Sequence, residues 1–133
     1  MKKVILILSV IALTACGKFE DIIIVKPTLP SINICENVAT DSDVASMKQK
    51  IDSQAFKDER MDRAKFVTTG YCFVSAQVID IMESMLFADA KLEMAKELYH
   101  QTTDKENYDT VVDELAYKSD REELMDYMAD HPF

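Results

Sequence analysis

Residues 56–65 read FKDERMDRAK, and 31 positions further on residues 87–96 read FADAKLEMAK. Phe56, Asp58, Met61, Ala64 and Lys65 thus recur as Phe87, Asp89, Leu92, Ala95 and Lys96, and a partial third start follows at Tyr117 and Ser119. Each aromatic stands two residues ahead of a side chain able to cap a helix. A period of this length is that of a helix-turn-helix unit, which buries too little apolar surface to stand alone and so stacks on its neighbours. The expected fold is all-α: a compact array of about five to six short helices, built from two helix-turn-helix repeats plus a terminal helix.

The sequence on either side agrees. From Ser31 to His131 there is no proline and a single glycine, Gly70. Because proline costs about 3 kcal/mol inside a helix and glycine about 1, the whole stretch permits helix. Apolar residues then fall at three-and-four spacings: Val44, Met47, Ile51; Met61, Ala64, Val67; Val78, Ile81, Met82, Met85; Leu92, Ala95, Leu98, Tyr99; Tyr108, Val111, Val112, Leu115; and Leu124, Tyr127, Met128. Gly70 suits the left-handed residue that ends a helix, and Ser75 is placed to cap the next one. Thr103 with Glu106, and Ser119 with Glu122, have capping-box spacing. Helices are expected over 43–54, 58–69, 76–85, 89–102, 104–115 and 120–130.

The amino terminus carries a different signal. Lys2 and Lys3 precede an apolar run from Val4 to Ala12, and Leu13, Thr14, Ala15 and Cys16 then form a lipobox, in which a cysteine replaces an ordinary signal cleavage site. Residues 1–15 read as a lipoprotein signal peptide, and Cys16 as the site of lipidation by a diacylglyceryl group, with an N-linked fatty acid such as palmitate. Val4 to Ala15 would make about 18 Å of helix against a hydrocarbon core of roughly 30 Å, too short to span. Two or more acyl chains hold a protein stably on a membrane where one does not. The expected location is the bacterial cell envelope, anchored by lipid to a membrane, the outer membrane at its periplasmic or surface face, and not the cytoplasm. Glu20 and Asp21 faintly resemble an acidic surface-export signal behind the lipidated cysteine.

Cleavage before Cys16 removes Lys2 and Lys3, so 13 basic side chains face 24 acidic ones and the mature formal charge is -11. Such a body is repelled by phosphate backbones, which excludes nucleic acid as a natural partner and leaves the membrane contact to the lipid on Cys16. Residues 16–43, with Pro27 and Pro30, read as the lipidated N-terminus and a flexible linker reaching roughly 30 Å. Within it Ile22 to Val25 is an apolar run that either spaces or packs. The helical domain is expected over 44–133. Cys35 and Cys72 are an even pair facing an oxidising compartment. Spacing alone leaves open a disulfide between them or a buried free Cys72.

The run Phe56, Asp58, Met61, Ala64, Lys65, Tyr71, Cys72, Ser75, Gln77, Val78, Ile81, Met82, Phe87, Lys91, Leu92, Ala95, Lys96, Tyr99, Asn107, Tyr108, Val111, Ser119, Leu124 and Tyr127 resembles the domain of unknown function 4476. The resemblance covers roughly residues 55–129. It departs at Met61, where leucine is usual, and at Gly70, where asparagine or a similar polar residue is common. It implies two helix-turn-helix units with a short final helix, often behind a lipoprotein or secretory signal, and it carries over no catalytic residues.

Catalytic motifs are missing. Two glycines, Gly17 and Gly70, cannot build a phosphate loop or a nucleophile elbow. His100, with Lys96, sits at a helix end where a cation complements the dipole, and His131 lies in the tail. Glu106, Asp109 and Asp113 share a face without the spacing or central glycine of a calcium loop. Met82, Met85, Met94, Met125 and Met128 are either core filler or an adaptable groove. The expectation is a protein that is no enzyme, needs no cofactor and no metal, and acts as a membrane-anchored helical module for an envelope protein partner or a ligand. The alternatives are an envelope enzyme with a site around Cys72 and His100, and a structural component of an envelope assembly.

Overall fold

A computed structural model describes residues 35–132, among which the chain forms six α-helices and one 3-10 turn. These are α1 (Asp41–Asp52), α2 (Lys57–Thr68), α3 (Ser75–Glu83), α4 (Ala88–Tyr99), the turn Lys105–Asn107, α5 (Asp109–Asp113) and α6 (Lys118–Asp130). The all-helical class and the compact six-helix array are as the apolar spacing predicts. The domain begins earlier than residue 44, because Thr40 caps α1 in a capping box with Asp43, and Asn37 to Ala39 are hydrogen-bonded to the body. Residues 1–15, Cys16, and the linker up to residue 34 lie outside the described residues.

The repeat is phased one helix earlier than expected. α1 with α2, α3 with α4, and α5 with α6 form three hairpins, joined by residues 53–56, 84–87 and 114–117. One hydrogen bond recurs in all three joints: Gln54 N–H to Ile51 C=O (3.0 Å), Met85 to Met82 (2.9 Å) and Leu115 to Val112 (3.1 Å). The first helices, α1, α3 and α5, lie side by side in one layer, and α2, α4 and α6 in the other. Equivalent positions supply the core between them. Met47, Val78 and Tyr108 are buried nine residues ahead of each aromatic, and Ile51, Met82 and Val112 five ahead. Lys65 pairs with Glu93 (2.6 Å) and Lys96 with Glu123, which explains why that lysine recurs: each reaches the acid of the next second helix. Exposed pairs of this kind add little stability and serve mainly to set register.

Helix starts differ from expectation in a consistent way. Phe56, Phe87 and Tyr117 are themselves the N-cap residues, extended at φ -106°, -118° and -102°, with no side-chain cap bond, so Asp58, Asp89 and Ser119 fall inside the first turn. First-turn Asp58, Asp89 and Asp120 complement the helix dipole instead. Ser75 is likewise the first residue of α3. Its N–H and hydroxyl both donate to the Asp104 carboxylate (2.6 and 3.0 Å). Asp104 therefore caps a distant helix, and the helix expected over 104–115 is split into a 3-10 turn and the five-residue α5. The Thr103–Glu106 and Ser119–Glu122 boxes do not form: Thr103 donates to Phe73 C=O and Ser119 to Asp120.

Opposite the hairpin joints, the inter-hairpin connections form a ladder. Val38 bridges Cys72 and Phe73 bridges Thr102, both parallel, through bonds of 2.8 to 2.9 Å. Gly70 does adopt a left-handed φ of 82°, but as the third residue of a type II turn over Thr68–Tyr71 rather than as the residue ending a helix. That turn delivers Phe73, fully buried, into the ladder. Among the described residues no helix is long and apolar enough to cross a membrane.

Candidate functional site: an aromatic edge on the second-helix layer

The three aromatic caps stand at the starts of α2, α4 and α6, neighbouring helices of one layer. Lys57 pairs with Asp89 and lies 5.7 Å from the centroid of the Phe87 ring, which places the start of α2 against the start of α4. A cleft of about 550 Å³ between α4 and α6 is walled by Asp89, Leu92, Lys96, Tyr117, Asp120 and Glu123, which places α4 beside the start of α6. Phe56, Phe87 and Tyr117 are 69%, 51% and 60% exposed, and Leu86 beside Phe87 is 62% exposed. Folding leaves these rings in water although the residues five and nine positions before each are buried. The sequence marks the three aromatics as repeat boundaries. The clue that they form a surface was their place at a helix start, where a core position is not required.

A second cluster pins α6 to α4 near their carboxyl ends. His100 Nε2 lies 2.6 Å from the Tyr127 hydroxyl, and the His131 ring stacks on Tyr127 at 4.2 Å with Nδ1 2.8 Å from the Tyr127 carbonyl. Tyr99 packs edge-on against Tyr108 at 5.0 Å, and Lys105 sits 4.8 Å above Tyr99. Tyr108, wholly buried, donates to Ala95 C=O at 2.6 Å, and burial pushes its phenol pKa far up. His100 was expected as a cation answering the helix dipole. It does end α4, but burial first, then the charges of His131 and Lys105, lower its pKa below the ordinary histidine value of 6.5, so the neutral ring is favoured. Every ring in this cluster is used in packing.

Cys35 and Cys72 are bonded to each other, with Cα atoms 6.0 Å apart, beside the Val38–Cys72 bridge. Cys72 sulfur and His100 are thus engaged with different partners, Cys35 and Tyr127, and are not brought into a nucleophile–base contact. Among the described residues no group of three or more His, Cys, Asp or Glu side chains is close enough to hold a metal ion. Met82, Met85 and Met94 are core, whereas Met125 is 47% exposed on α6. Cys16 lies outside the described residues.

Two layers of stacked hairpins define a short α-repeat fold. The chain belongs to the family described as Domain of unknown function (DUF4476), whose model matches residues 38–128. That match starts at the first rung of the ladder and ends in the last turns of α6, so it spans all three hairpins. No curated protein and no solved structure matches the chain.

Proposed function

We propose that this protein is a bacterial envelope lipoprotein, held to a membrane by acyl chains on Cys16, whose helical domain binds an envelope protein through the edge formed by Phe56, Phe87 and Tyr117. The observation that carries the binding half is the exposure of an aromatic at one position in all three hairpins. Large apolar side chains held in water cost free energy, and their recurrence at one position of a repeat is the usual mark of an interface. The anchoring half is supported by the lipobox Leu13, Thr14, Ala15, Cys16 behind a basic and apolar leader. Tethering to a membrane raises the effective concentration of partners held in the same envelope, so modest affinity suffices.

The test is in two arms within cells. Labelled palmitate should enter the wild-type protein and not the Cys16→Ala variant. Photo-crosslinking groups at positions 87 and 117 should capture a defined envelope protein, whereas the same group at position 76, on the exposed outer side of α3, should not. A protein that takes up no label, or crosslinks equally from both faces, overturns the reading.

A further inference from the structure

We infer that the outer face of α2 pairs with the same face of a second copy of this chain, antiparallel across a twofold axis near residue 63, with Arg63 of each copy on Asp62 of the other. The face is formed by Glu59, Asp62, Arg63 and Phe66, which helical spacing sets side by side and which are all exposed. It is separate from the interface proposed for the aromatic helix starts, and neither depends on the other.

The contact that joins one second helix to the next is made twice within the domain, and α2 carries one side of it again. Six residues past each aromatic cap stands an acid: Asp62, Glu93 and Glu123. Lys65 of α2 donates to Glu93 (2.6 Å), and Lys96 of α4 donates to Glu123. Ten residues past the cap, Phe66 on α2 is the equivalent of Tyr127 on α6, and the Lys96 ammonium stands over the Tyr127 ring at 5.6 Å, within the range of cation–π attraction. On α6, then, an acid and a ring one turn apart hold the cation of the neighbouring helix. Asp62 and Phe66 are the same combination on α2, which has α4 on one side only within its layer. Among the described residues Glu59, Asp62 and Arg63 form no ion pair, and Lys65, three residues on from Asp62, is taken by Glu93. Phe66 is 73% exposed.

The cation that completes the combination stands on the same face. Arg63 is next to Asp62, at the position where Met94 and Leu124 are buried in the later hairpins. Antiparallel helices related by a twofold axis near residue 63 set position 62 against 63 and 59 against 66, so each copy gives one arginine and receives one. Arginine suits the place, because its planar guanidinium bonds a carboxylate while stacking on a ring. Phe66 of the second copy then meets a cleft of about 400 Å³ lined by Gln54, Glu59, Asp62, Arg63 and Phe66. The formal charge of -9 repels two copies as a whole. At physiological ionic strength that repulsion is screened beyond about 8 Å, so the alternating charges at the contact decide. A face one helix wide is smaller than the roughly 1,600 Å² of a standard interface, so the dimer is weak and forms at high local concentration.

The experiment is sedimentation equilibrium of the full chain carrying Cys16→Ala, over about 10 µM to about 1 mM, with circular dichroism to confirm that each variant is folded. The average mass should climb from monomer toward dimer across that range. Arg63→Glu and Asp62→Lys should each weaken association at least tenfold, because both reciprocal contacts become like-charged. Mixed in equal amounts, the two variants should associate again, since each altered side chain then faces the opposite sign, and native mass spectrometry should show one copy of each. Phe66→Ala should weaken association several-fold. A chain that stays monomeric throughout overturns the inference, as does association that either variant keeps when alone, or a mixture that fails to recover it. In cells, a photo-crosslinking group at position 66 should give a product of twice the chain's mass; a product with a different protein in its place assigns the face to that protein and overturns self-pairing.

Discussion

Arg60 shows how much one side chain can do in so small a fold. Its guanidinium donates to Gln54 C=O and Ser84 C=O at 2.8 Å each and also reaches the Asp52 backbone and carboxylate, which ties the end of α1 to the end of α3. Those carbonyls are the unpaired ends of two helices, so the arginine answers groups that would otherwise lack partners. Its side chain is 14% exposed, which limits water as a substitute. Arg60→Ala should cost about 2–3 kcal/mol in urea unfolding, and Arg60→Lys should recover little of it, because one ammonium cannot fork between both helix ends. Beside it, the Ser84 hydroxyl is buried with no hydrogen-bond partner. Removing an unsatisfied buried donor while keeping the volume near constant releases its desolvation cost, so Ser84→Ala should leave stability unchanged or raise it by about 1 kcal/mol. A loss above about 1 kcal/mol in the same titration would show that the hydroxyl has a partner after all.

The docking of α6 on α4 brings His100 and His131 against the Tyr127 ring. His100 is held below its ordinary pKa by burial and by the neighbouring His131 and Lys105 charges, while Glu97 opposes the shift. In the unfolded chain the ring protonates near 6.5, so as pH falls through that value the unfolded state takes up a proton that the folded state resists. Stability should therefore be full above about pH 7 and decline as pH drops toward 5. In His100→Gln that portion of the decline should vanish, as read from melting temperature across pH. Asp43 and Asp89 titrate separately: Thr40 and Lys57 hold them below 3.8, so they bring a further loss only below about pH 4. An unchanged profile in His100→Gln would mean the ring is solvated. The helices themselves were readable from the chain to within about three residues at most ends, because Val78, Ile81 and Met82 or Leu92, Ala95 and Leu98 can share a face only in a helix. Helix starts came out one or two residues late, since Asp58, Asp89 and Ser119 look like better caps than the aromatics that actually hold the extended backbone. The shortness of α5 was not readable, because Asp104 is drawn off by Ser75, which only the tertiary fold brings near it.

At the scale of the described domain, α2 stands at one end of the second-helix layer, and its outer face is charged apart from Phe66, which is 73% exposed. The α4 residues between α2 and α6 include buried Ala90 and Met94, whereas their equivalents on α2 are Glu59 and Arg63, both exposed. A polar outer face is what a terminal repeat needs to remain soluble. Repetition in the second helices was plain in the sequence. The first helices concealed theirs because Met47, Val78 and Tyr108 occupy one position with three unrelated side chains, and the ladder concealed itself because two or three residues per connection show no period. That ladder, with the bond between Cys35 and Cys72, is what fastens the amino-terminal end of the domain to its middle. The bond closes a loop with a sequence separation of 37 residues, enclosing α1 and α2. In the chain-entropy view such a closure removes about 4 kcal/mol worth of freedom from the unfolded state. For a domain of this size that is a large fraction of the roughly 5–15 kcal/mol that separates folded from unfolded. Cys72→Ser should therefore lower unfolding free energy by about 3–4 kcal/mol in non-reducing urea titrations, and Cys35→Ser should do the same. Under strong reductant the wild type should fall to the level of either variant, because all three then have the same open chain. A wild type that keeps its advantage in reductant would place the stabilisation in packing of the Cys72 side chain, and one that never had it would mean that the ladder alone secures the amino-terminal end.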